Sequence, residues 1–283
     1  MYLTAQQLAV ANQAVLETFE TTSIAWQLLP QWNVGDPAQS RVRNDVVNSP
    51  GFIDIEQLSL PFQLTLAQTG APSTDSIVAE ANWYATELAR QFDLFVLFWL
   101  GVTAWVTNKI DFLEVDQDAL LMNLIDARAI VEDAGYRAPS GLITSTAGLK
   151  SLSSLQSGHP IVELLLEAAH VNSLHRTSWY DFVVDAVDKN GAPTTDVNGD
   201  PVPKARTVMV MLGRRQLIAH GAAPEASPGE EPVDLAIAVA PSLEVVGEGP
   251  GSVIEMSLRT RFALRIKDPG ALVLLWGTPV YTP

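Results

Sequence analysis

The apolar residues between positions 74 and 106 recur at the three- and four-residue spacing of an α-helix. From Leu94 to Trp99 no polar residue interrupts the pattern. A helix that is amphipathic at its start and apolar all round at its end should begin partly exposed and finish buried. The pattern predicts a long helix over Asp75–Gly101, capped by Ser73 or Thr74. One face of this helix contains Ile77, Ala81, Tyr84, Leu88, Phe92, Phe95 and Trp99.

The segment before this helix alternates between apolar and polar positions, which is the pattern of a β-strand. The apolar set is Leu58, Leu60, Phe62, Leu64 and Leu66. Ile53 and Ile55 alternate in the opposite phase, so a turn or bulge is expected near Glu56. Pro61 has no N–H to donate, which places it on a sheet edge or at a bulge. The sequence predicts a β-hairpin over residues 49–72, which would need support from neighbours because an isolated hairpin is barely stable.

The first 48 residues combine a helical start with an irregular stretch. Thr4 and Gln7 form a capping box, and the helix that follows has a narrow apolar stripe. Residues 21–48 are interpreted as irregular, and they contain Trp26 and Trp32. Apolar anchors on a segment without a core of its own suggest contact with a neighbouring subunit. The alternative is that these tryptophans cover the edge of their own domain.

Strands dominate the last third of the chain, and the longest of them, Val253–Lys267, has a basic face. Its cations are Arg259, Arg261, Arg265 and Lys267. Like charges on one strand face repel each other unless opposite charges lie against them. Acidic residues of the long helix or of a neighbouring subunit are the expected partners. Contact with enclosed nucleic acid is the alternative, and its affinity would fall steeply with salt.

Composition narrows the class of protein. The net charge of −15 argues against a reader of nucleic-acid sequence, and the 47% of hydrophobic residues can supply a substantial core. The absence of cysteine excludes disulfides and thiol catalysis. The longest apolar run, near Leu94–Val106, is about 13 residues, whereas a membrane span needs roughly 20. The sequence therefore predicts a soluble protein that is made inside the cell.

No arrangement of residues indicates catalysis. The glycine-rich phosphate loops, the nucleophile elbow and the H-E-x-x-H zinc motif are absent from the sequence. His170 and His175 could join Glu163 or Glu167 around a metal, but their spacing does not place them on one helical face. Five residues resemble fragments of a calcium loop, although the terminal glutamate is missing: Asp188, Asn190, Asp196, Asn198 and Asp200. We predict no enzymatic activity, no catalytic residue, no cofactor and no metal.

Several stretches resemble the encapsulin shell proteins and, through them, the capsid proteins of tailed phages. The segment Leu58-Ser-Leu-Pro-Phe-Gln-Leu64 matches an "L-x-V-P-F-x-L" strand that precedes a long spine helix in encapsulins, with Leu60 in place of valine. The resemblance continues at Ala129–Pro139, Val233–Val246 and Leu258–Leu275. It covers roughly residues 50 to 277, in pattern more than in identity. Residues Ser23–Arg43 depart from encapsulins, whose N-terminal helix lines the shell and docks cargo, and look like a phage capsid N-arm.

The resemblance implies an α+β protein with the Hong Kong 97 phage capsid fold. That fold would divide the chain into an N-terminal arm (1–48), an extended β-hairpin loop (49–72), a peripheral domain with the spine helix (73–125 and 250–283) and a mixed α/β axial domain (126–249). Residues 50–72 contain no lysine, so an isopeptide link of the kind known in the namesake phage could not be anchored there.

The function that the resemblance implies is that of a major capsid protein, which assembles into the icosahedral head around the double-stranded DNA of a tailed phage. Copies of the chain would form pentamers and hexamers, without a membrane and without sequence-specific DNA binding. Portal, scaffolding or decoration proteins would be further partners, and the chain would be made in the host cytoplasm. The alternative is an encapsulin shell around a cargo enzyme. The expected inter-subunit contacts are Trp26, Trp32, Leu58, Leu60, Phe62, Leu64, Arg259 and Arg261.

Overall fold

A computed structural model shows an α+β protein and describes residues 4–44, 51–65, 75–156, 159–195, 200–217, 225–226, 231–251 and 253–280. The helices are α1 Ala5–Thr22, α2 Ile24–Leu28, α3 Asp75–Thr107, α4 Gln117–Asp133, α5 Thr146–Leu152 and α6 Val162–Ala168. The strands are β1 Gln31–Asn33, β2 Arg41–Asn44, β3 Gly51–Asp54, β4 Glu56–Thr65, β5 Lys109–Glu114, β6 Ala138–Thr144, β7 Leu155–Gln156, β8 His159–Pro160, β9 Val171–Arg176, β10 Val183–Asp185, β11 Pro203–Ala205, β12 Val208–Arg214, β13 Gln216–Leu217, β14 Glu225–Ala226, β15 Val233–Gly249, β16 Val253–Ile266 and β17 Leu272–Pro279.

The chain divides into two compact units. Unit 1 contains Met1–Val96 and Val233–Lys267, and unit 2 contains Leu97–Pro232 and Asp268–Pro283. Both units are therefore built from segments that are distant in sequence. The four-part division into arm, extended loop, peripheral and axial domains stays a prediction.

Unit 1 is built on a four-stranded sheet in the order β1-β15-β16-β4. Strand β4 runs antiparallel to β16, with pairs from Thr65 opposite Val253 to Glu56 opposite Phe262. The alternation predicted from sequence determines which side of β4 is buried: Phe62 and Leu64 are enclosed, whereas Pro61 is exposed. Because β4 is an edge strand of this sheet, the prediction that Pro61 lies on an edge is confirmed.

The described part of the predicted hairpin does not pair with itself. Strand β3 pairs with β2, and β4 pairs with β16. The chain breaks its strand at Ile55, one residue before the position where the change of phase predicts a turn or bulge. Residues 66–72, which would supply the second strand of the hairpin, lie outside the described residues.

The interpretation of residues 21–48 as irregular was wrong for most of the described part. The segment contains α2, β1 and β2. These elements are too short to show a period in the sequence, and each is stabilised by a tertiary partner instead. Asp93 of α3 accepts from the N–H groups of Ile24 and Ala25 at the start of α2, β1 pairs with β15, and Val42 of β2 packs against Ala236 and Ala263. The predicted capping box of Thr4 and Gln7 is present at the start of α1.

Unit 2 is built on a five-stranded sheet in the order β5-β17-β12-β6-β9. Its core lies between this sheet and the helices, with Leu124, Val131, Leu142, Met211 and Val273 among the enclosed residues. Helix α4 ends where Gly135 adopts a φ of 95°, a backbone conformation that glycine adopts without strain. A glycine directly after the helical pattern of residues 116–134 predicts such a stop from sequence alone, and the structure confirms it.

Helix α3 is longer than predicted, since it continues beyond Gly101 to Thr107. The predicted cap at Ser73 or Thr74 lies outside the described residues. By length and composition alone, the stretch Ser76–Thr107 could cross a membrane. The buried core helices of soluble proteins pass the same test, so this property is weak support for a membrane span.

Candidate assembly surface

The two tryptophans of the N-terminal segment lie in different surroundings. Trp26 is half-buried in α2, where its ring centroid is 5.4 Å from that of Phe19 and 6.1 Å from that of Phe92. All three residues belong to unit 1. The contacts agree with the alternative reading, in which Trp26 covers the edge of its own domain. Its role between subunits stays a prediction.

Trp32 is held on β1 with part of its ring open to solvent. Its side chain is 42% exposed. The guanidinium carbon of Arg265 lies 4.6 Å from the centroid of the indole, a cation–π distance. An exposed, positioned indole is the kind of side chain that anchors protein interfaces. Its predicted contact with a neighbouring subunit stays a prediction that this geometry permits.

A buried ionic network lies beneath Trp32. Arg265 donates from Nε and Nη2 to the two carboxylate oxygens of Asp234 at 2.6 Å each. The Lys267 ammonium lies 3.0 Å from Asp234 Oδ2. Arg265 Nη1 also donates to the backbone oxygen of Arg43 at 3.3 Å. Because Arg265 contacts β1 through Trp32 and β2 through Arg43, the network connects the N-terminal segment to the sheet.

Arg259 and Arg261 have partners within their own unit. Arg259 pairs with Glu244 of β15, and Arg261 donates to the backbone oxygens of Pro37 and Gln39. The expectation that acids of the long helix neutralise this basic face was wrong for the described residues. The acids lie on the adjacent strand β15. The β15–β16 register places Asp234 directly opposite Arg265. It places Ser242 opposite Arg259, so Glu244 lies two residues further along β15, diagonal to Arg259. Contacts of Arg259 and Arg261 with another subunit remain predictions.

Strand β4 has a buried face and an open edge. Phe62 stacks on Tyr84 with ring centroids 4.4 Å apart, and Leu64 is fully buried. Leu58 and Leu60 are only half-buried. Within the described residues, the edge of β4 that faces away from β16 has no strand partner. Such an edge can pair with another chain. Of the predicted contact residues here, Leu58 and Leu60 retain surface for a neighbour.

A buried carboxylate attaches α2 to the middle of α3. Asp93 Oδ1 accepts from Ser23 Oγ at 2.6 Å and from the Ala25 N–H at 3.0 Å, and Oδ2 accepts from the Ile24 N–H at 2.9 Å. Asp93 is only 6% exposed. Burial raises its pKa above the ordinary value, although all three hydrogen bonds lower it. Sequence reasoning missed this site because a lone aspartate in an apolar helix carries no sign of its distant partners.

The end of α3 is more exposed than the sequence predicted. Leu97, Leu100 and Ala104 are fully buried, but Phe98 is 55% exposed and Val106 is 78% exposed. The expectation of burial all round was therefore wrong. Unit 2 covers one face of this part of the helix, and the hydrophobic pattern alone does not show how many faces are covered.

Among the described residues we searched for a metal site or a catalytic cleft. They contain no group of three histidine, aspartate or glutamate side chains that could hold a metal. Asp196 and Asn198 of the calcium-like fragment lie outside the described residues. A shallow cleft of about 240 Å³ is lined by Glu114, Asp116, Ser151 and Ser154 among others. Glu114 is engaged as the acceptor of the Thr207 N–H at 2.8 Å.

Comparison with known proteins gives a match in structure but not in sequence. No protein-family model and no curated protein sequence matches the chain. The chain is similar to a virus-like particle protein from Pyrococcus furiosus, with a TM-score of 0.66, 16% identity and coverage of 96% of this chain and 98% of that one. A phage-related protein from Bordetella bronchiseptica matches with a TM-score of 0.62 and 11% identity, over 93% and 96% of the two chains.

A third similar structure is the mature capsid of bacteriophage PhiM1, with a TM-score of 0.50, 11% identity and coverage of 94% of this chain and 87% of that one. These identities are too low to transfer an activity, so the matches bear on the fold. The chain has the Hong Kong 97 fold of phage capsid proteins, which confirms the fold predicted from its sequence.

Proposed function

We propose that this chain is a structural shell protein, the major capsid protein of a tailed double-stranded DNA phage. The observation that supports the proposal most strongly is the match of nearly the whole chain to a virus-like particle protein over nearly its whole length. In this proposal copies of the chain assemble into pentamers and hexamers of an icosahedral head. The shell encloses DNA without reading its sequence, and portal, scaffolding or decoration proteins complete the particle.

Electron microscopy of the purified protein tests the proposal. Negative-stain images should show closed icosahedral particles, because contacts between different surfaces of identical subunits close into rings or shells. A protein that remains a monomer across protein concentration, salt and pH would contradict a shell function. Particles isolated from a phage lysate should contain double-stranded DNA that is protected from nuclease.

An encapsulin-type shell around a cargo protein is the second candidate, and α1 is the observation that favours it. This 18-residue helix packs by Ala11, Val15 and Phe19, and Asn12 exchanges hydrogen bonds with the Leu243 backbone of β15 at 2.7 and 3.4 Å. A docked N-terminal helix resembles the cargo-binding helix of encapsulins. Mass spectrometry of nuclease-treated particles separates the candidates, since only the encapsulin alternative requires an enclosed protein.

Replacing Trp32 with alanine is expected to lower particle yield while the subunit stays folded. Within the subunit, the change removes a cation–π contact worth about 0.5–1 kcal/mol and the packing of the covered part of an indole that is 42% exposed. Trp26→Ala is the matched comparison, since its ring packs on Phe19 and Phe92 and its removal should cost about 2 kcal/mol of subunit stability. Particle counts and denaturant unfolding of unassembled subunits measure the two effects. Equal losses of folded subunit in both variants would contradict this assignment.

The shell is expected to lack covalent cross-links through the extended loop. Residues 50–72 contain no lysine to form an isopeptide bond. On a denaturing gel, boiled particles should give a single band near 30.6 kDa. A ladder of dimers and higher multimers that survives boiling would show that another part of the chain supplies a cross-link.

A further inference from the structure

The exposed side of α3 in unit 2 forms a surface that no predicted contact includes. Phe98, Val102, Trp105 and Val106 all carry exposed apolar side chains. Their spacing of four, three and one residues places them on one side of the helix. These four residues, together with the neighbouring Trp276 and Phe182, are called the aromatic patch below.

Three rings of the aromatic patch, those of Trp105, Trp276 and Phe182, contact one another. The Trp276 ring centroid is 4.8 Å from that of Trp105 and 5.8 Å from that of Phe182. The Lys109 ammonium lies 3.7 Å from the centroid of Trp105, and the Arg206 guanidinium lies 4.5 Å from that of Trp276. Side chains that are already ordered lose little entropy when a partner docks. Tryptophan and arginine are also the residue types that dominate binding energy at protein interfaces.

The patch is large enough to form the centre of an interface. Phe98, Trp105 and Phe182 are 55%, 45% and 44% exposed. Since an aromatic side chain can bury about 150–250 Å², these rings leave roughly 300 Å² of accessible surface before the two valines are added. The largest apolar patch on a typical monomer measures about 300–600 Å² and is often functional, and this patch falls in that range. A stable interface covers about 800 Å² on each partner, so the patch supplies a substantial share.

A second copy of the chain fits this surface better than a lipid membrane. The other side of the same helical segment is occupied by its own unit, because Leu97, Leu100 and Ala104 are fully buried. The segment could enter a bilayer as a spanning helix only if unit 2 opened. Lys109 already pairs with Asp111 of its own strand at 2.9 Å, and the Arg206 guanidinium also borders the rings. A second copy of a chain with a net charge of −15 can supply a carboxylate that complements Arg206.

We propose that the aromatic patch is a contact surface for a second copy of this chain, which docks through an acidic surface. The proposal rests on the proposed shell function and adds a specific surface to it. It differs from the contacts predicted through the N-terminal segment and β4, since all members of the patch belong to unit 2.

Hydroxyl-radical footprinting of the wild-type protein tests the proposal without a substitution. Labelling of the Phe98, Trp105 and Phe182 side chains is compared between unassembled subunits and purified particles. We expect labelling to fall about fivefold on assembly, because the rings leave solvent. Unchanged labelling of these side chains in intact particles would overturn the proposal while leaving the shell function in place.

Substitutions provide the second test, with a matched control on the same helix. Phe98→Glu and Val106→Glu place a charge on the patch. Trp83→Glu places the same charge at an exposed aromatic position of α3 in unit 1. We expect the patch variants to lower particle yield about tenfold or more, while the melting temperature of the unassembled subunit changes by less than about 3 °C. Trp83→Glu should retain at least about half of the wild-type yield. Wild-type yield in both patch variants, or an equal loss in Trp83→Glu, would overturn the proposal.

Two further measurements separate this proposal from its alternatives. Flotation with phosphatidylcholine–phosphatidylglycerol vesicles should leave the wild-type protein unbound, and binding that Phe98→Glu abolishes would assign the patch to lipid and overturn the proposal. Light scattering after size exclusion covers the case in which the wild type forms no particles. A wild-type dimer that Phe98→Glu dissociates would then support the patch although the shell function fails, and a wild-type monomer would reject both.

Discussion

Replacing Asp234 with alanine is expected to destabilise the subunit by about 3–5 kcal/mol, because the change leaves buried cations without their counter-charge. Asp234 is 1% exposed and Arg265 is 7% exposed. The carboxylate accepts two hydrogen bonds from the guanidinium at 2.6 Å each and lies 3.0 Å from the Lys267 ammonium. Water cannot take over these contacts without opening the sheet between β15 and β16.

Denaturant unfolding of unassembled subunits measures the effect. Asp54→Ala is the matched control, because Asp54 pairs with Arg41 at 2.6 Å but both side chains are about two-thirds exposed. An exposed pair of this kind should contribute about 0.2–1 kcal/mol. The double variant Asp234→Leu with Arg265→Met should recover part of the stability, since it removes two of the three charges. A loss below about 1 kcal/mol in Asp234→Ala would show that the network is not a main support of the sheet.

The Asp234→Ala substitution should also destabilise the N-terminal segment that contains β1 and β2. Arg265 supports the ring of Trp32 and donates to the backbone of Arg43, so a displaced guanidinium withdraws support from β1 and β2. We therefore expect proteolysis within residues 31–44 of Asp234→Ala to accelerate before the core unfolds. Such a result would connect a buried charge in the sheet to a segment that the sequence predicts to contact a neighbouring subunit.

Local patterns in the sequence predicted the elements whose period lies within a single segment. Alternation from Leu58 to Leu64 predicted β4 and its buried side, and the spacing from Ile77 to Phe92 predicted α3. Gly135 predicted the end of α4, because its positive φ is a property of one residue. Each of these features depends on side-chain period or backbone preference over a few residues.

Features that depend on distant partners could not be predicted in this way. Strand β4 pairs with β16 across about 200 residues of sequence, and nothing in its alternation distinguishes that partner from the second strand of a hairpin. The segment containing α2 and β1 appeared irregular because tertiary contacts, and not local propensity, hold it in place. The surroundings of the two tryptophans could not be predicted for the same reason: Trp26 and Trp32 are alike in sequence, but Trp26 packs on Phe19 whereas Trp32 is 42% exposed.

The exposed end of α3 shows how an apolar pattern can have two meanings. A run without polar residues is expected where a helix is buried on all sides by its own chain, and also where one side awaits another molecule. In unit 2 Leu97 and Leu100 are buried, whereas Phe98 and Val106 are exposed and belong to the proposed contact surface. The apolar run in the sequence therefore does not distinguish the residues of α3 that its own unit buries from those that stay exposed.

Replacing Asp93 with alanine should cost about 3 kcal/mol, because it leaves the Ser23 hydroxyl and the Ile24 and Ala25 N–H groups without their acceptor. Each buried donor that loses its partner costs about 1–3 kcal/mol, and removing a buried charge offsets part of the sum. Asp93→Asn should cost about half as much. It retains one acceptor oxygen, but its amide nitrogen would face an N–H donor. Thr18→Ala is a control, since Thr18 also hydrogen-bonds to α3, at Asn82, but in a half-buried position.

The pH dependence of these variants identifies the role of the charge. Burial raises the pKa of Asp93 above its ordinary value, so the folded state binds a proton more tightly than the unfolded state does. The contribution of this group to stability is fully present below the ordinary aspartate pKa of about 3.9 and is lost as pH rises through the raised value. The difference in unfolding free energy between wild type and Asp93→Asn should therefore shrink as pH rises across this window. A difference that grows with pH would mean that the three hydrogen bonds outweigh burial and that the carboxylate is held in its ionised form.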